Sequence, residues 1–191
     1  VPIADVMVAL RGLAWKDGTV PKGVSSVMWA MYWDGNPWRR PPTQRTSWSK
    51  GVDVPRFSQD CDVLFYVGCT PSYDGRSQKV ARALVRIFGE AGVTFGTLGE
   101  QEPCCGDAAY GLGQHDYLRQ IVETNTRLFA EEGVGTVVTT SPHCYDIFAN
   151  HYPKDSGLKP LHYTQYLAQL VDEGKLKFEK PLEAKLTFHD P

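Results

Sequence analysis

Beyond residue 60, short β-rich apolar runs alternate with longer stretches whose apolar residues recur at helical spacing. The pattern predicts strands over 63–68, 93–98, 136–140, 158–163 and 184–189. Helices are predicted over 75–91, 115–132, 143–151 and 164–173. Alternation of this kind predicts an α/β fold, a parallel Rossmann-like sheet flanked by helices and joined by right-handed crossovers. Ahead of it, residues 3–16 and 21–33 carry helical spacing, with Pro21 at a helix start. The stretch from Gly35 through Pro37, Trp38, Pro41 and Pro42 cannot continue a helix and reads as an ordered linker.

Composition sharpens this division. All five Trp precede residue 50 and all five Cys follow Asp60, so residues 1–52 read as a helical segment and 53–191 as the α/β domain. A net charge of −2 lacks the basic excess of a nucleic-acid surface, so no nucleic acid is expected. No apolar run is long enough to span a bilayer and no signal-peptide order opens the chain, so a cytoplasmic location is expected. The chain opens on Val1 without Met and closes on Pro191 directly after its last apolar run, which reads as a fragment.

An odd number of cysteines, two of them adjacent, argues against a disulfide framework and for reduced thiols or metal ligands. Their positions matter more. Cys69 ends the first predicted strand, Cys104 and Cys105 follow the second, and Cys144 follows the third. Parallel strands gather such ends at one rim, where open α/β sheets bind ligands. Helix N-termini expected just after Cys105 and Cys144 favour thiolates. Gly68, Gly106 and Pro142 supply the turns. Zinc usually takes paired C-x2-4-C knuckles, absent here, and soft all-thiolate sets otherwise point to iron–sulfur clusters. Adjacent cysteines serve different irons of one cluster more readily than they grip one small ion.

Cys69, then Cys104-Cys105-Gly106, then Pro142-His143-Cys144 resembles one copy of the cysteine-rich (CCG) repeat of heterodisulfide-reductase-related iron–sulfur oxidoreductases. Within that group, Gly35-Asn36-Pro37-Trp38 resembles the segment between a two-cluster ferredoxin domain and the first repeat. Val1-Pro2-Ile3 and His189-Asp190-Pro191 resemble the flanks of the neighbouring cluster motifs. The resemblance implies a 4Fe-4S cluster, noncubane in the fullest form, held by Cys69, Cys104, Cys105 and Cys144. It implies electron transport between ferredoxin-type clusters and a disulfide or other acceptor, with flavin-linked or membrane quinone-linked redox subunits as partners. Membrane association would then come through a partner protein, and the isolated fragment would be inactive. The fullest repeat ends in C-x-x-C, whereas Ile147 stands here where the last Cys would be, which implies a supporting rather than catalytic copy and leaves catalytic residues unassigned.

Two rivals stand beside this reading: a zinc-stabilised structural domain on the same thiols, and a thiol redox enzyme cycling Cys104 and Cys105 through a vicinal disulfide. Cys61, at the start of the first strand, is expected to pack in the core. His143 reads as a cluster neighbour or a solvated loop residue, and His162 and His189 as satisfied polar residues or substrate contacts. Gly106, Gly111 and Gly113 lack the Gly-Lys-Ser/Thr of a phosphate loop and are expected to serve turns. Arg39, Arg40 and Arg45 with Trp38 read as a docking surface, or as a solvated linker with one buried indole.

Overall fold

The computed structural model describes residues 2–187. Helix α1 (Ile3–Lys16) and helix α2 (Lys22–Asp34) come first, and Gly35, at φ 64°, ends α2 as a left-handed cap. Short 3-10 turns at Pro42–Gln44 and Ser47–Ser49 lead towards strand β1 (Val63–Tyr66). The rest alternates: α3 (Cys69–Tyr73), α4 (Ser77–Glu90), β2 (Phe95–Gly96), α5 (Asp107–Gly111), α6 (His115–Glu132), β3 (Thr136–Thr139), α7 (Pro142–His151), β4 (Lys159–His162) and α8 (Tyr163–Asp172).

All four strands are parallel in the order β2-β1-β3-β4. Parallel crossovers cover both faces of such a sheet, and the strands are accordingly apolar on both sides. Leu64, Tyr66 and Val137 face a core built with Leu118, Val122 and Phe129 of α6 and Ile147 and Phe148 of α7. Val63, Phe65 and Val138 face another, built with Ala81, Leu84 and Phe88 of α4 and Leu170 of α8. The N-terminal segment contributes Met31 to the first core and Trp48 to the second.

Of the strand predicted at 184–189, residues 184–187 carry no regular structure, and Phe188 and His189 lie outside the described residues. Among the described residues no strand pairs with 184–187, and Leu182 and Leu186 are exposed. The five-residue α3 is absent from the sequence reading because so few residues show no helical period, whereas α5, also five residues, supplies the helix start expected just after Cys105.

The edge strand β2 is covered by the extended segment around Arg56, which bridges Thr97 in parallel. Phe57 N donates to Thr97 O at 3.0 Å and Thr97 N to Pro55 O at 3.0 Å. Gly96 permits this approach, since a Cβ there would stand 2.3 Å from Phe57 Cα and 2.4 Å from Phe57 N. Gly96→Ala is therefore expected to destabilise the fold by roughly 1–3 kcal/mol, as overpacking against rigid backbone does. Urea unfolding checks this, and an unchanged midpoint would mean that the 55–57 segment yields freely.

Gly113, at φ +73°, has an equivalent role between α1 and α6 rather than in a phosphate loop. A Cβ on it would meet Gly12 N at 2.4 Å and Val8 O at 2.6 Å. The other side of α1 exposes Ile3, Val6, Met7, Leu10 and Leu13, and α2 exposes Trp29, Tyr32 and Trp33. Among the described residues, no helix is long and apolar enough to cross a membrane.

Candidate metal centre

The carboxyl ends of β1, β2 and β3 point to one rim, and the peptide that leaves each of them delivers cysteine. Cys69 opens α3 immediately after Gly68, whose φ of 80° no side chain favours. Cys104 and Cys105 precede Gly106, the left-handed residue (φ 104°) that starts α5. A Cβ on Gly106 would stand 2.6 Å from Leu118 Cδ1, the movable end of a side chain, so the turn is what selects glycine. Cys144 differs from expectation: α7 begins at Pro142, so this thiol lies inside the first helical turn rather than ahead of it. Proline is tolerated at a helix start because its missing N–H would have found no partner there.

The four thiols line one pocket of about 90 Å³ together with Pro37, Trp38, Thr70, Asp107 and His143. Cys144 Sγ would stand 3.5 Å from a Cβ on Gly68, so it reaches across from β3 to the end of β1. No three or more His, Cys, Asp or Glu among the described residues close around a single ion. The four thiols border the pocket. A second cavity, about 400 Å³, opens on the other side of Cys104 beneath α2 and reaches Arg45, Glu102 and Asn125.

Electrostatics divide the thiols. Hydrogen bonds from the Cys105 and Cys69 thiols, aided by the Gly106 amide, hold Cys104 well below the ordinary thiol range despite its burial. Cys69 is pushed well up by its hydrogen bond to Cys104 and then by burial. Cys105 is pushed well up by its bonds to Cys104 and Cys144 and then by burial. Neighbouring thiolates repel one another in a medium of low dielectric, and a bound metal ion is a condition under which a coordinating thiol ionises outright.

Beneath the thiols lies a polar cradle. Tyr66 Oη donates to Pro103 O at 2.6 Å, Asn125 Nδ2 to Cys104 O at 2.8 Å, and Tyr152 Oη to Cys105 O at 3.1 Å. Asn125 Nδ2 also donates to Tyr152 Oη at 2.7 Å. Burial pushes both phenols well above their ordinary range, so they remain donors. Consecutive carbonyls are thereby held away from the pocket, and the two sulfurs are left facing into it.

A buried ion pair completes the arrangement. Arg45 Nη2 lies 2.8 Å from Glu102 Oε1, the two side chains being 4% and 2% exposed. Glu102 also accepts from Val67 N at 2.9 Å and Gly68 N at 2.8 Å, closing the open end of β1. Arg45 Nη1 and Nη2 stand 3.8 and 3.9 Å from Cys69 Sγ. Burial works against the guanidinium charge, but Glu102 and Cys69 outweigh it and raise its pKa well above normal. Its Nε is buried without a partner among the described residues.

The residues named from sequence separate clearly. Cys69, Cys104, Cys105, Cys144, His143 and Trp38 share the pocket. Cys61 does not: it packs at the opposite end of β1, its Sγ 3.8 Å from Ser58 Oγ. His143 is exposed, with Nδ1 3.6 Å from Asp107 Oδ1. His162 meets Thr164 Oγ1 at 2.8 Å and Thr140 O at 3.3 Å, a satisfied residue at the start of α8. Ile147 is fully buried in the core. Arg45 is no surface residue, in contrast to exposed Arg39 and Arg40, and Trp38 is 42% exposed while Trp48 is the buried indole. Trp38 is held over the pocket by Asn36, 1% exposed, whose Oδ1 accepts from Trp38 N at 3.0 Å and whose Nδ2 donates to Arg40 O at 2.7 Å.

Glu102, Asn125 and Tyr152 were not legible as site residues. Glu102 precedes a Pro-Cys-Cys run, which is the only local signal for it. Asn125 and Tyr152 carry none, being distant in sequence from Cys104 and Cys105, whose carbonyls they hold.

Residues 63–148 match the family model described as CCG, cysteine-rich domain. The chain is 37% identical over 196 residues to an EtfAB:quinone oxidoreductase of Syntrophomonas wolfei, covering 98% of this chain and 28% of that protein. It is 34% identical over 191 residues to the probable iron-sulfur-binding oxidoreductase FadF of Bacillus subtilis, covering 94% and 27%. It is 29% identical over 195 residues to one subunit of the dihydromethanophenazine:CoB–CoM heterodisulfide reductase of Methanosarcina barkeri, covering 98% and 47%. The chain thus spans less than half the length of these relatives. No solved structure matches.

Proposed function

We propose, from the premise that residues 63–148 of this chain are a cysteine-rich domain of the CCG family, that the chain is an iron–sulfur electron-transfer unit of a heterodisulfide-reductase-like oxidoreductase. The observation that carries this reading is the convergence of Cys69, Cys104, Cys105 and Cys144, from three separate strand-to-helix connections, on one pocket. The proposed ligands are those four thiols. The all-thiolate donor set, with Cys104 and Cys105 adjacent and no C-x2-4-C knuckle, favours a 4Fe-4S centre over a single zinc ion, and Ile147 argues for a supporting copy without a fifth thiolate. Such a cluster supplies one-electron storage near the rim of the sheet.

The protein groups then have distinct tasks. Tyr66, Asn125 and Tyr152 fix the backbone of residues 103–105 so that adjacent sulfurs diverge. The first turns of α3, α5 and α7 bring positive dipole ends towards the thiolates. Trp38 and Pro37 cover part of the pocket and limit water there.

We assign residues 1–52 to a helical segment packed on the cysteine-rich unit, and 53–191 to that unit itself. The implied partners are other redox groups, ferredoxin-type, flavin or quinone-linked, in the same polypeptide or in a companion protein, with a disulfide or similar acceptor beyond. The relatives' names and greater lengths support this, as does the apolar surface on α1 and α2.

Anaerobic reconstitution with iron and sulfide, followed by metal and labile-sulfide analysis, tests the reading. A brown protein with iron and matching sulfide is expected. A colourless protein with one zinc, or a metal-free one that forms a Cys104–Cys105 disulfide, would overturn it.

A further inference from the structure

We propose that Arg45 sets the reduction potential of the centre held by the four cysteines, with Glu102 as its counterweight. This rests on the preceding assignment of an iron–sulfur cluster to those thiols. Arg45 reaches the site from the turn after Pro42–Gln44, is almost wholly buried, and directs both terminal nitrogens at Cys69 Sγ.

The ion pair is neutral as a whole but not symmetric towards the sulfur. Arg45 Nη1 and Nη2 stand 3.8 and 3.9 Å from Cys69 Sγ, whereas Glu102 Oε1 is shared between Arg45 Nη2 and Gly68 N and Oε2 accepts from Val67 N, which disperse its charge. A thiolate at Cys69 therefore meets the positive end of the pair. Buried charges are screened less than exposed ones, so this orientation contributes to the potential at the sulfur. Positive charge and N–H bonds at a ligand sulfur favour the state holding one more electron.

The electron comes from a one-electron iron–sulfur or flavin donor, and no bond is formed or broken in its arrival. Arg45 keeps its proton throughout, because guanidinium does not deprotonate in proteins. The added negative charge is thus met by a fixed cation, and uptake is not obliged to carry a proton. A purely structural pair, tying the Pro42–Ser49 region to the sheet, would also be buried and bonded but would leave the potential unmoved.

Potentiometric titration of the anaerobically reconstituted chain with dithionite, followed by electron paramagnetic resonance, separates these roles. Arg45→Lys keeps the charge and is expected to titrate near wild type. The double variant Arg45→Met/Glu102→Gln leaves no buried lone charge, and its potential is expected to fall so that the reduced-to-oxidised ratio at fixed potential drops at least tenfold, about 59 mV for one electron. Glu102→Gln alone is expected to shift the potential upwards. Iron-loaded variants that all titrate with wild type would overturn the inference while leaving the cluster assignment intact. A wild-type chain that takes up no iron would overturn both.

Discussion

Cys104→Ser is expected to lose nearly all of the iron and labile sulfide that the wild-type chain retains after anaerobic reconstitution and desalting. The loss should exceed the roughly 10–100-fold in affinity that removal of an outer hydrogen-bond partner causes at metal sites. Serine keeps the volume but is a hard, weakly acidic donor where a soft thiolate is required. Cys104 is chosen because it faces the four-thiol pocket and its thiol interacts with both Cys69 and Cys105. Cys61→Ser is the matched control. Its sulfur sits at the far end of β1 beside Ser58, so iron content should match wild type. Equal retention of iron and sulfide by Cys104→Ser and wild type would remove this thiol from the ligand set.

Glu102→Ala is expected to be the most destabilising single substitution near the site, costing about 3–5 kcal/mol, the range for breaking one partner out of a buried ion pair. Two effects combine. Arg45 is left as a buried, unpaired cation, and Val67 N and Gly68 N lose the acceptor that closes the end of β1. For a chain of this length each kcal/mol lowers Tm by about 2–4 °C, so a fall of roughly 10 °C should appear in a thermal melt of the metal-free protein. Glu102→Gln retains an acceptor and should fall less. A melt of Glu102→Ala within a degree or two of wild type would mean that water or a relaxed Arg45 conformation replaces the carboxylate without cost.

The two variants test separable properties. Cys104 concerns what the pocket holds, whereas Glu102 concerns whether the pocket exists. Loss of iron in Glu102→Ala would thus follow from a disordered β1 end, and should be accompanied by the lowered melting point. Loss of iron in Cys104→Ser should occur with the fold retained.

The alternation of apolar patterns was enough to fix a parallel α/β sheet, because strand and helix periods differ and parallel strands require crossover helices. It placed α1, α2, α6 and α8 closely, and it placed Cys69, Cys104, Cys105 and Cys144 at one rim, because each follows a predicted strand and parallel strands end together. The tertiary structure alone decided the rest. Arg45 read as part of a surface group with Arg39 and Arg40, since nothing in a linker's composition tells which of its charges will meet a buried carboxylate from a distant turn. Asn125 and Tyr152 likewise became part of the cysteine site only when α6 and the end of α7 packed beneath residues 103–105. The apolar run at 184–187 shows the converse, since a strand exists only where a neighbour accepts its hydrogen bonds. Periodicity reports which face of an element is buried; which polar groups meet inside is set by the contacts between elements, and those have no local signature.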